Sequence, residues 1–287
     1  MFSWSYVSLG LKFILRYPSV IPKVFEGSSK VWSEVDRLRK NKWLKNPVNI
    51  KCVDGFKIYL NTFDTEGPSV NIGIDGYWEL SETQMLKQVL KKGMTFVDAG
   101  ANVGWYTLLA ARLVGKSGRV IGFEPEPKCY RLLEKSVKEN GFENVHLHNC
   151  ILSDTEGKAQ LWLAPNNLGA HSLTRMEDAA RLDSVVHGHV DVLKVDVEGH
   201  EPQVIKGAIS LFENGCIDRV FLEYDPRVWH DRSFFEDYEI FEFVMSPFLI
   251  RKVENLSEVK HKTDLLLKRV RVVNHVHKVQ RTSDRRS

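Results

Sequence analysis

The 287-residue chain is 43% hydrophobic and carries a formal charge of +3. It can bury one large core, which argues for a single main domain with appendages over two equal domains. No stretch reaches the ~18 apolar residues that cross a bilayer. The four cysteines (Cys52, Cys129, Cys150, Cys216) show neither a C-x-x-C pair nor tight spacing, so a disulfide framework and a zinc site give way to reduced thiols in a cytoplasmic setting.

The N-terminal "FSWSYVSLGLKFILRYPSVIPKVF" is rich in aromatics but broken by Lys12, Arg16, Pro18 and Pro22. It lacks the layout of a signal peptide. It reads as a helix packed on its own domain, with peripheral contact to a membrane surface as the other use of such a segment. Residues 1 to about 47 are helical and basic, with Trp32, Val35, Leu38 and Trp43 spaced toward one face. "VNIKCVDGFKIYLNT" alternates around Asp54-Gly55 and predicts a hairpin. "GYWELSETQMLKQVLKKG" opens a helix with Ser81 as its cap, Leu86, Val89 and Leu90 as its buried stripe and Gly93 as its stop.

From Met94 the pattern becomes strand, helix, strand, helix. "MTFVD" is a continuous apolar run, as in a parallel strand buried on both faces. "VGWYTLLAARLVG" is a helix, "GRVIGFE" a strand, "KCYRLLEKSVKENG" a helix and "NVHLHNCIL" a third strand. "SDTEGKAQLWLA" reads as an inserted hairpin turning at Glu156-Gly157, followed by a looser stretch to Val190. "VDVLKVDVEG" is a fourth strand, "EPQVIKGAISLFENG" one helix, "IDRVFLEY" a fifth strand, and "PFLIRKV" and "DLLLKRVRVV" close the sheet. This alternation predicts an α/β fold with a doubly wound, mostly parallel sheet that binds its ligand outside the carboxyl ends of the strands. Asp98, Glu124, Asp196 and Glu223 all fall at or near such ends.

The first turn, "FVDAGANVGWYT", has the spacing Gly100-x-x-x-Gly104, with Asn102 where a dinucleotide site needs a second close glycine. The acidic Asp98 before the turn opposes a phosphate and favours a cation, so a cationic nucleoside without phosphate, S-adenosylmethionine, fits better than a dinucleotide. Gly100 lets the backbone approach the ligand and Asn102 is a good helix cap. Glu124, 24 residues after Gly100, has the position of an acid that accepts both hydroxyls of a ribose.

With "LSDTEG", "LKVDVEGHEPQVIKGA" and "FLEYDP" added, the chain resembles the FkbM-type S-adenosylmethionine-dependent methyltransferases from about Gly76 to Pro226, and weakly to Arg269. The resemblance implies a Rossmann-like class I methyltransferase fold. It implies cofactor roles for Asp98, Gly100, Ala101, Asn102, Gly104 and Glu124, puts Tyr77 and Glu79 near the cofactor mouth, and sets Asp196, Glu198 and Glu201 near the active site. The chain then divides into an N-terminal helical and hairpin extension (1–75), a methyltransferase domain (76–273) and a basic tail (274–287).

Methyl transfer to a hydroxyl needs alignment and a base. A period of two puts Lys194 and Asp196 on one face of the fourth strand, with Glu198 just beyond. A lysine in a buried strand must be paired, so Lys194 is expected to set the charge state of a neighbouring acid, with Asp196 as base or acceptor-orienting group. His171, in the irregular stretch that covers such sites, is a second candidate base. A Mg²⁺ or Ca²⁺ set at Asp196, Glu198 and His200 has suitable oxygen ligands but generic spacing, and no metal is assigned. Trp78 and Trp105 have the best claim among the tryptophans to line the pocket.

The reading is an S-adenosylmethionine-dependent O-methyltransferase acting on a small-molecule or glycan hydroxyl. From Arg251 onward, eleven Lys/Arg face four Asp/Glu, a net +7 that leaves −4 for the rest. That basic end motivates two rivals, an RNA methyltransferase and anionic-surface contact. A non-catalytic glycan-binding or assembly module on the same fold is the third.

Overall fold

The computed structural model describes residues 29–162, 174–229, 233–243 and 250–270. Helix α1 (Ser29–Lys45), strands β1 (Ile50–Val53) and β2 (Phe56–Tyr59) and helix α2 (Pro68–Asp75) form the extension. Asp54 and Gly55 take φ of 51° and 81°, and the expected hairpin closes in the turn type that matches its strand twist. Trp43 is 2% exposed, and a Cβ added at Gly73 would lie 2.1 Å from its ring, so α2 meets the indole through a glycine. Leu38 is 55% exposed. The single apolar face expected on α1 is therefore not formed at that position, because the helix is held there by Trp43 and by the Arg39–Asp75 ion pair. The helix α2 itself was not signalled by periodicity.

Helix α3 (Leu80–Val89) begins one residue before Ser81, which corrects the expected cap. The capping position is Glu79, left-handed at φ 37°, and the Thr83 hydroxyl donates to the Trp78 carbonyl at 2.7 Å across the turn. The main sheet then runs through β3 (Thr95–Ala99), α4 (Trp105–Val114), β4 (Arg119–Phe123), α5 (Pro127–Asn140) and β5 (Val145–His148). A small sheet follows, with β6 (Ile151–Leu152), β7 (Gly157–Trp162) and β8 (Thr174–Ala180), and then the short helix α6 (Leu182–Val185). The chain returns through β9 (Val192–Val195), α7 (Glu201–Lys206), α8 (Ile209–Glu213) and β10 (Arg219–Tyr224), and ends in β11 (Tyr238–Phe243), β12 (Ile250–Val253) and β13 (Thr263–Arg269).

The eight-stranded sheet has the order β12-β11-β13-β10-β9-β3-β4-β5. Strands β10, β9, β3, β4 and β5 are mutually parallel, and β13 enters antiparallel between β10 and β11. Alternate residues of the central strands feed two cores. Val97, Ile121, Leu193 and Leu222 pack with Val204, Leu211 and Phe212 on one face. Phe96, Val120, Val192 and Phe221 pack with Leu108 and Leu109 on the other, together with Phe56, Ile58 and Trp43 of the extension. Both faces are dry, as an apolar run in a parallel sheet requires. The chain winds outward from β3 to β5 and then crosses back to β9 on the other side of β3. That reversal opens a crevice at the carboxyl ends of β3 and β9.

Three sequence expectations change. The run 144–152 is two strands, because the Asn149 amide donates to the carbonyls of Glu124 (2.7 Å) and Pro125 (3.1 Å), drawing the chain out of the ladder. The expected hairpin at Glu156-Gly157 does not form: residues 153–156 are no strand, and the arm from Gly157 is β7, which pairs antiparallel with the later β8 in the order β6-β8-β7. The helix expected over 201–215 is broken at Gly207, whose Cβ position is 2.0 Å from the Ser153 carbonyl oxygen and whose own carbonyl accepts from the Asp183 amide at 3.0 Å.

Because Trp43 joins the extension to the core of the main sheet, Trp43→Ala should cost about 3–5 kcal/mol of unfolding free energy in a single transition on urea denaturation. A loss below 1 kcal/mol, or a separate early transition for residues 29–75, would show that the extension does not share that core.

Candidate active site

The turn after β3 is fastened to the end of β4. The amides of Gly100 and Ala101 both donate to the Phe123 carbonyl, at 3.0 and 2.9 Å. The next amide, Asn102, donates to Glu124 Oε2 at 2.7 Å, and the Glu126 amide donates to Oε1 at 2.8 Å. Each Glu124 oxygen thus holds one backbone donor and keeps a lone pair for another. Burial pushes this carboxyl up to about 7, and the two backbone donors only partly offset it.

The glycines of this turn serve packing. Gly100 has φ +90°, and a Cβ there would sit 1.9 Å from the Asp196 carbonyl oxygen. Contrary to the sequence reading, the close approach that demands glycine is to β9's end. Gly104 caps α4 at φ 98°, where a Cβ would meet the Leu133 side chain at 2.3 Å. Asn102 is left-handed at φ 50° and its Oδ1 accepts from the Val103 amide at 2.8 Å, so it shapes the turn and is not the helix cap. The Ala101 side chain is buried near the Cα of Gly122, leaving its backbone as its contribution to the turn.

Asp98 is 1% exposed. Its Oδ2 accepts from the Thr107 hydroxyl at 2.6 Å, while Oδ1 is buried without a hydrogen-bond partner. Burial holds this carboxyl above its ordinary range, and Lys194, opposite it across the β3–β9 pairing, draws it back. The Lys194 ammonium donates to Asp196 Oδ2 at 2.6 Å and sits 4.5 Å from the centre of the Tyr106 ring. Burial opposes that charge, but Asp196, Glu79 and Asp98 outweigh it and raise the lysine above its ordinary value. Tyr106 also donates its hydroxyl to Glu79 Oε2 at 2.8 Å, and burial pushes Glu79 up to about 8. Glu79, expected at the cofactor mouth, and Lys194 and Asp196, expected at the chemistry, are therefore neighbours. Tyr106, which joins Glu79 to Lys194, and Thr107, which bonds Asp98, form the first turn after Gly104 and have no signal of their own in the sequence.

Other expected residues are more dispersed. Glu198 is left-handed at φ 54°, with its side chain 76% exposed and 3.6 Å from Lys262. Glu201, buried at 1%, accepts from the amides of Val197 and Gly199, both at 3.0 Å, and so holds the turn after β9. His200 turns away to Ser153 Oγ at 3.3 Å, so Asp196, Glu198 and His200 do not converge as one ligand set. Among the described residues the clustered group with metal-ligand chemistry is His189, Asp191 and Asp218, at the opposite ends of the strands. Tyr77 is buried in the core beside α3. Trp105 is 2% exposed and donates to Thr83 Oγ1 at 2.8 Å, with its ring edge-on to Phe56, so it packs the helices and does not line the site. His171 and the tail 274–287 lie outside the described residues, as do residues 1–28.

The pattern of the Methyltransferase FkbM domain matches residues 98–247, just over half of the chain. The chain belongs to this family. Methyltransferase 1 of Beauveria bassiana is 25% identical over 166 residues, which are 57% of this chain and 63% of that protein. Methyltransferase sdnD of Sordaria araneosa is 28% identical over 153 residues, 39% of this chain and 59% of that one. The chain thus spans about three-fifths of the length of these curated relatives. The crystal structure of methyltransferase FkbM from Methylobacillus flagellatus aligns with a TM-score of 0.43 at 12% identity, covering 81% of this chain and 58% of that one.

The cofactor of this FkbM-family chain is S-adenosylmethionine, and the residues present fit it. The side chains at the ends of β3 and β4 are acidic, one buried oxygen of Asp98 lacks a partner, and the buried ammonium nearby is committed to Asp196. Such a set suits a cation and opposes a pyrophosphate. Glu124 would hold the ribose hydroxyls and Asp98 would favour the positive end of the molecule. No helix of the described residues is long and apolar enough to cross a membrane.

Asp98→Ala and Glu124→Ala should each weaken S-adenosylmethionine binding at least tenfold in calorimetry. Wild-type affinity in both would remove these residues from the cofactor site. Glu124 also makes stability depend on pH. Its folded value of about 7 lies above its ordinary 4.5, so the folded chain binds the extra proton between those limits. Its contribution is present below pH 4.5 and is lost as pH rises to 7. Between those pH values the unfolding free energy of Glu124→Gln should gain about 3 kcal/mol relative to the cofactor-free wild type. A constant difference across that window would refute the raised carboxyl.

Proposed function

We propose that this chain transfers the methyl group of S-adenosylmethionine to a hydroxyl oxygen of a sugar, glycan or secondary metabolite. The observation that carries this reading is Asp196. Its side chain is 26% exposed at the crevice, while the Lys194 beside it is 8% exposed. A carboxylate fixed by a buried ammonium yet open to solvent suits a general base for an acceptor that approaches from outside. S-adenosylmethionine would supply an electrophilic methyl carbon, with its sulfonium sulfur as the leaving group that keeps the carbon–sulfur electron pair. The hydroxyl proton passes to Asp196. Lys194 orients that carboxylate through its 2.6 Å hydrogen bond, and Tyr106 and Glu79 hold the lysine from the other side. Glu201 keeps the turn in register.

The rival that reads RNA as the acceptor finds little support in the described part of the basic end, residues 251–270, where four of the six Lys/Arg are engaged. Arg251 meets Glu242 at 2.6 Å, Lys252 meets Glu239 at 3.1 Å, Lys262 meets Glu223 at 2.7 Å, and Arg269 donates to the Gly215 carbonyl. These charges are matched within the sheet and do not form the open basic stripe that tracks a phosphate backbone.

Asp196→Asn should lower the rate of label transfer from S-adenosylmethionine by 10²–10⁴-fold, with cofactor affinity changed less than threefold. Lys194→Met should also reduce transfer, since it leaves Asp196 without its partner. Full transfer by a stably folded Asp196→Asn would exclude this carboxylate as base.

A further inference from the structure

Among the described residues seven large hydrophobic side chains are exposed, and five of them belong to the N-terminal extension: Leu38, Leu44, Val48, Ile50 and Phe63. Four of the five gather where α1 hands over to the hairpin. Helix α1 ends at Lys45, and residues 44–50 are exposed without a break. At this open end of the hairpin the Leu60 amide donates to the Asn49 carbonyl at 2.9 Å, which carries the β1–β2 pairing one step further. The chain then turns tightly, with the amides of Phe63 and Asp64 donating to the side chain and the carbonyl of Asn61, both at 3.1 Å. Phe63 stands in this turn at 77% exposure, at the same end as Leu44 and Val48. Strand β1 has no partner on its other edge. Its Lys51 reaches to the Gly73 carbonyl at 2.7 Å, so Ile50 and the exposed Cys52 take the opposite face. A contiguous apolar patch on a folded chain marks a contact surface. The same stretch is basic. Residues 1–51 carry ten Lys/Arg against three Asp/Glu, a net +7. Arg37, Arg39 and Lys40 are taken up by acids, but Lys42 and Lys45, exposed in the last turn of α1, have no ion pair among the described residues.

We propose that this end of the extension docks on an anionic lipid surface. Phe63, Leu44 and Val48 enter the headgroup boundary, and Lys42 and Lys45 meet the charge of the lipids. The 28 residues that precede α1 repeat this chemistry, with six aromatics and three Lys/Arg against one acid, and that pairing of residue types suits a bilayer interface. A second copy of the chain fits the patch less well, because a two-fold contact would bring the unpaired lysines against each other. Nucleic acid fits it less well too, since Leu44, Val48 and Ile50 have no ring to stack on a base. Docking does not depend on the methyl-transfer reading, because none of these residues belongs to the crevice.

The test floats the full chain with vesicles of phosphatidylcholine alone or with about 30% phosphatidylserine, in ~0.1 M and ~1 M salt. Thermal unfolding of every variant checks that the fold is kept. The wild type should bind the phosphatidylserine vesicles at low salt at least tenfold more tightly than either the phosphatidylcholine vesicles or the same vesicles at high salt. Phe63→Ser should weaken that binding at least fivefold, and Phe63→Trp should keep it. Lys42→Gln with Lys45→Gln should weaken it at least tenfold, and the double arginine variant should restore it. Equal binding to both kinds of vesicle, or wild-type binding by a folded Phe63→Ser, overturns the proposal. A concentration-dependent dimer that Phe63→Ser disrupts, with no flotation, assigns the patch to a second copy instead. Total RNA that strips the wild type from the vesicles and is itself bound through Lys42 and Lys45 assigns it to nucleic acid, and overturns the proposal as well.

Discussion

A single buried ammonium organises the site. Lys194 stands in a central parallel strand with apolar neighbours on both sides, where an unpaired charge is not tolerated. Its partners come from four separate elements: Asp196 at the end of its own strand, Asp98 on β3, Glu79 ahead of α3 and the ring of Tyr106 on α4. Each must reach the same point, and that requirement explains local features that are otherwise costly. Glu79 takes a left-handed backbone (φ 37°) to bring its carboxyl under the Tyr106 hydroxyl. Asp98 is buried with one oxygen partnerless, a cost that the charge of Lys194 across the β3–β9 pairing partly offsets.

The cofactor turn depends on the same convergence. Gly100 is needed because the Asp196 carbonyl lies where its Cβ would be, and Gly104 because Leu133 does. The two glycines of the motif therefore report how closely β3 approaches β9 and α5. Glu124 and Asp98 would carry the ligand-facing chemistry; burial raises both carboxyls, and Lys194 at Asp98 and the two backbone amides at Glu124 offset it only in part. A glycine spacing that looks like a ligand signature is, in this chain, first a packing signature.

Charge along the chain is sorted by the fold in a way that its distribution along the sequence does not show. The basic end looks like a free cationic surface when counted, yet Arg251, Lys252 and Lys262 are each brought against a carboxylate by strand pairing in the last part of the sheet. The consequence is functional as well as structural. It matches these three charges among the described residues of that end, and it delivers one lysine to the rim of the crevice.

Much of the architecture was legible without coordinates, because its signals are local and periodic. Apolar runs at 95–99 and 192–195 mark strands buried on two faces, Asp54-Gly55 marks a hairpin, and Asp98, Glu124 and Asp196 stand at strand ends where an α/β sheet binds ligands. Lys194 in an apolar strand already demanded a partner. What the amino-acid order alone determined was therefore the fold class, the methyl donor and the presence of a paired lysine. Only the tertiary structure decided which groups meet it. Tyr106 and Glu79 are distant in sequence from Lys194 and nothing local pairs them with it, β7 pairs with a strand that follows it and not with the residues before it, and the helix after β9 breaks at a glycine that packs on Ser153. These are contacts between residues remote along the chain, set by strand order and close packing, and neither has a local signal in the sequence.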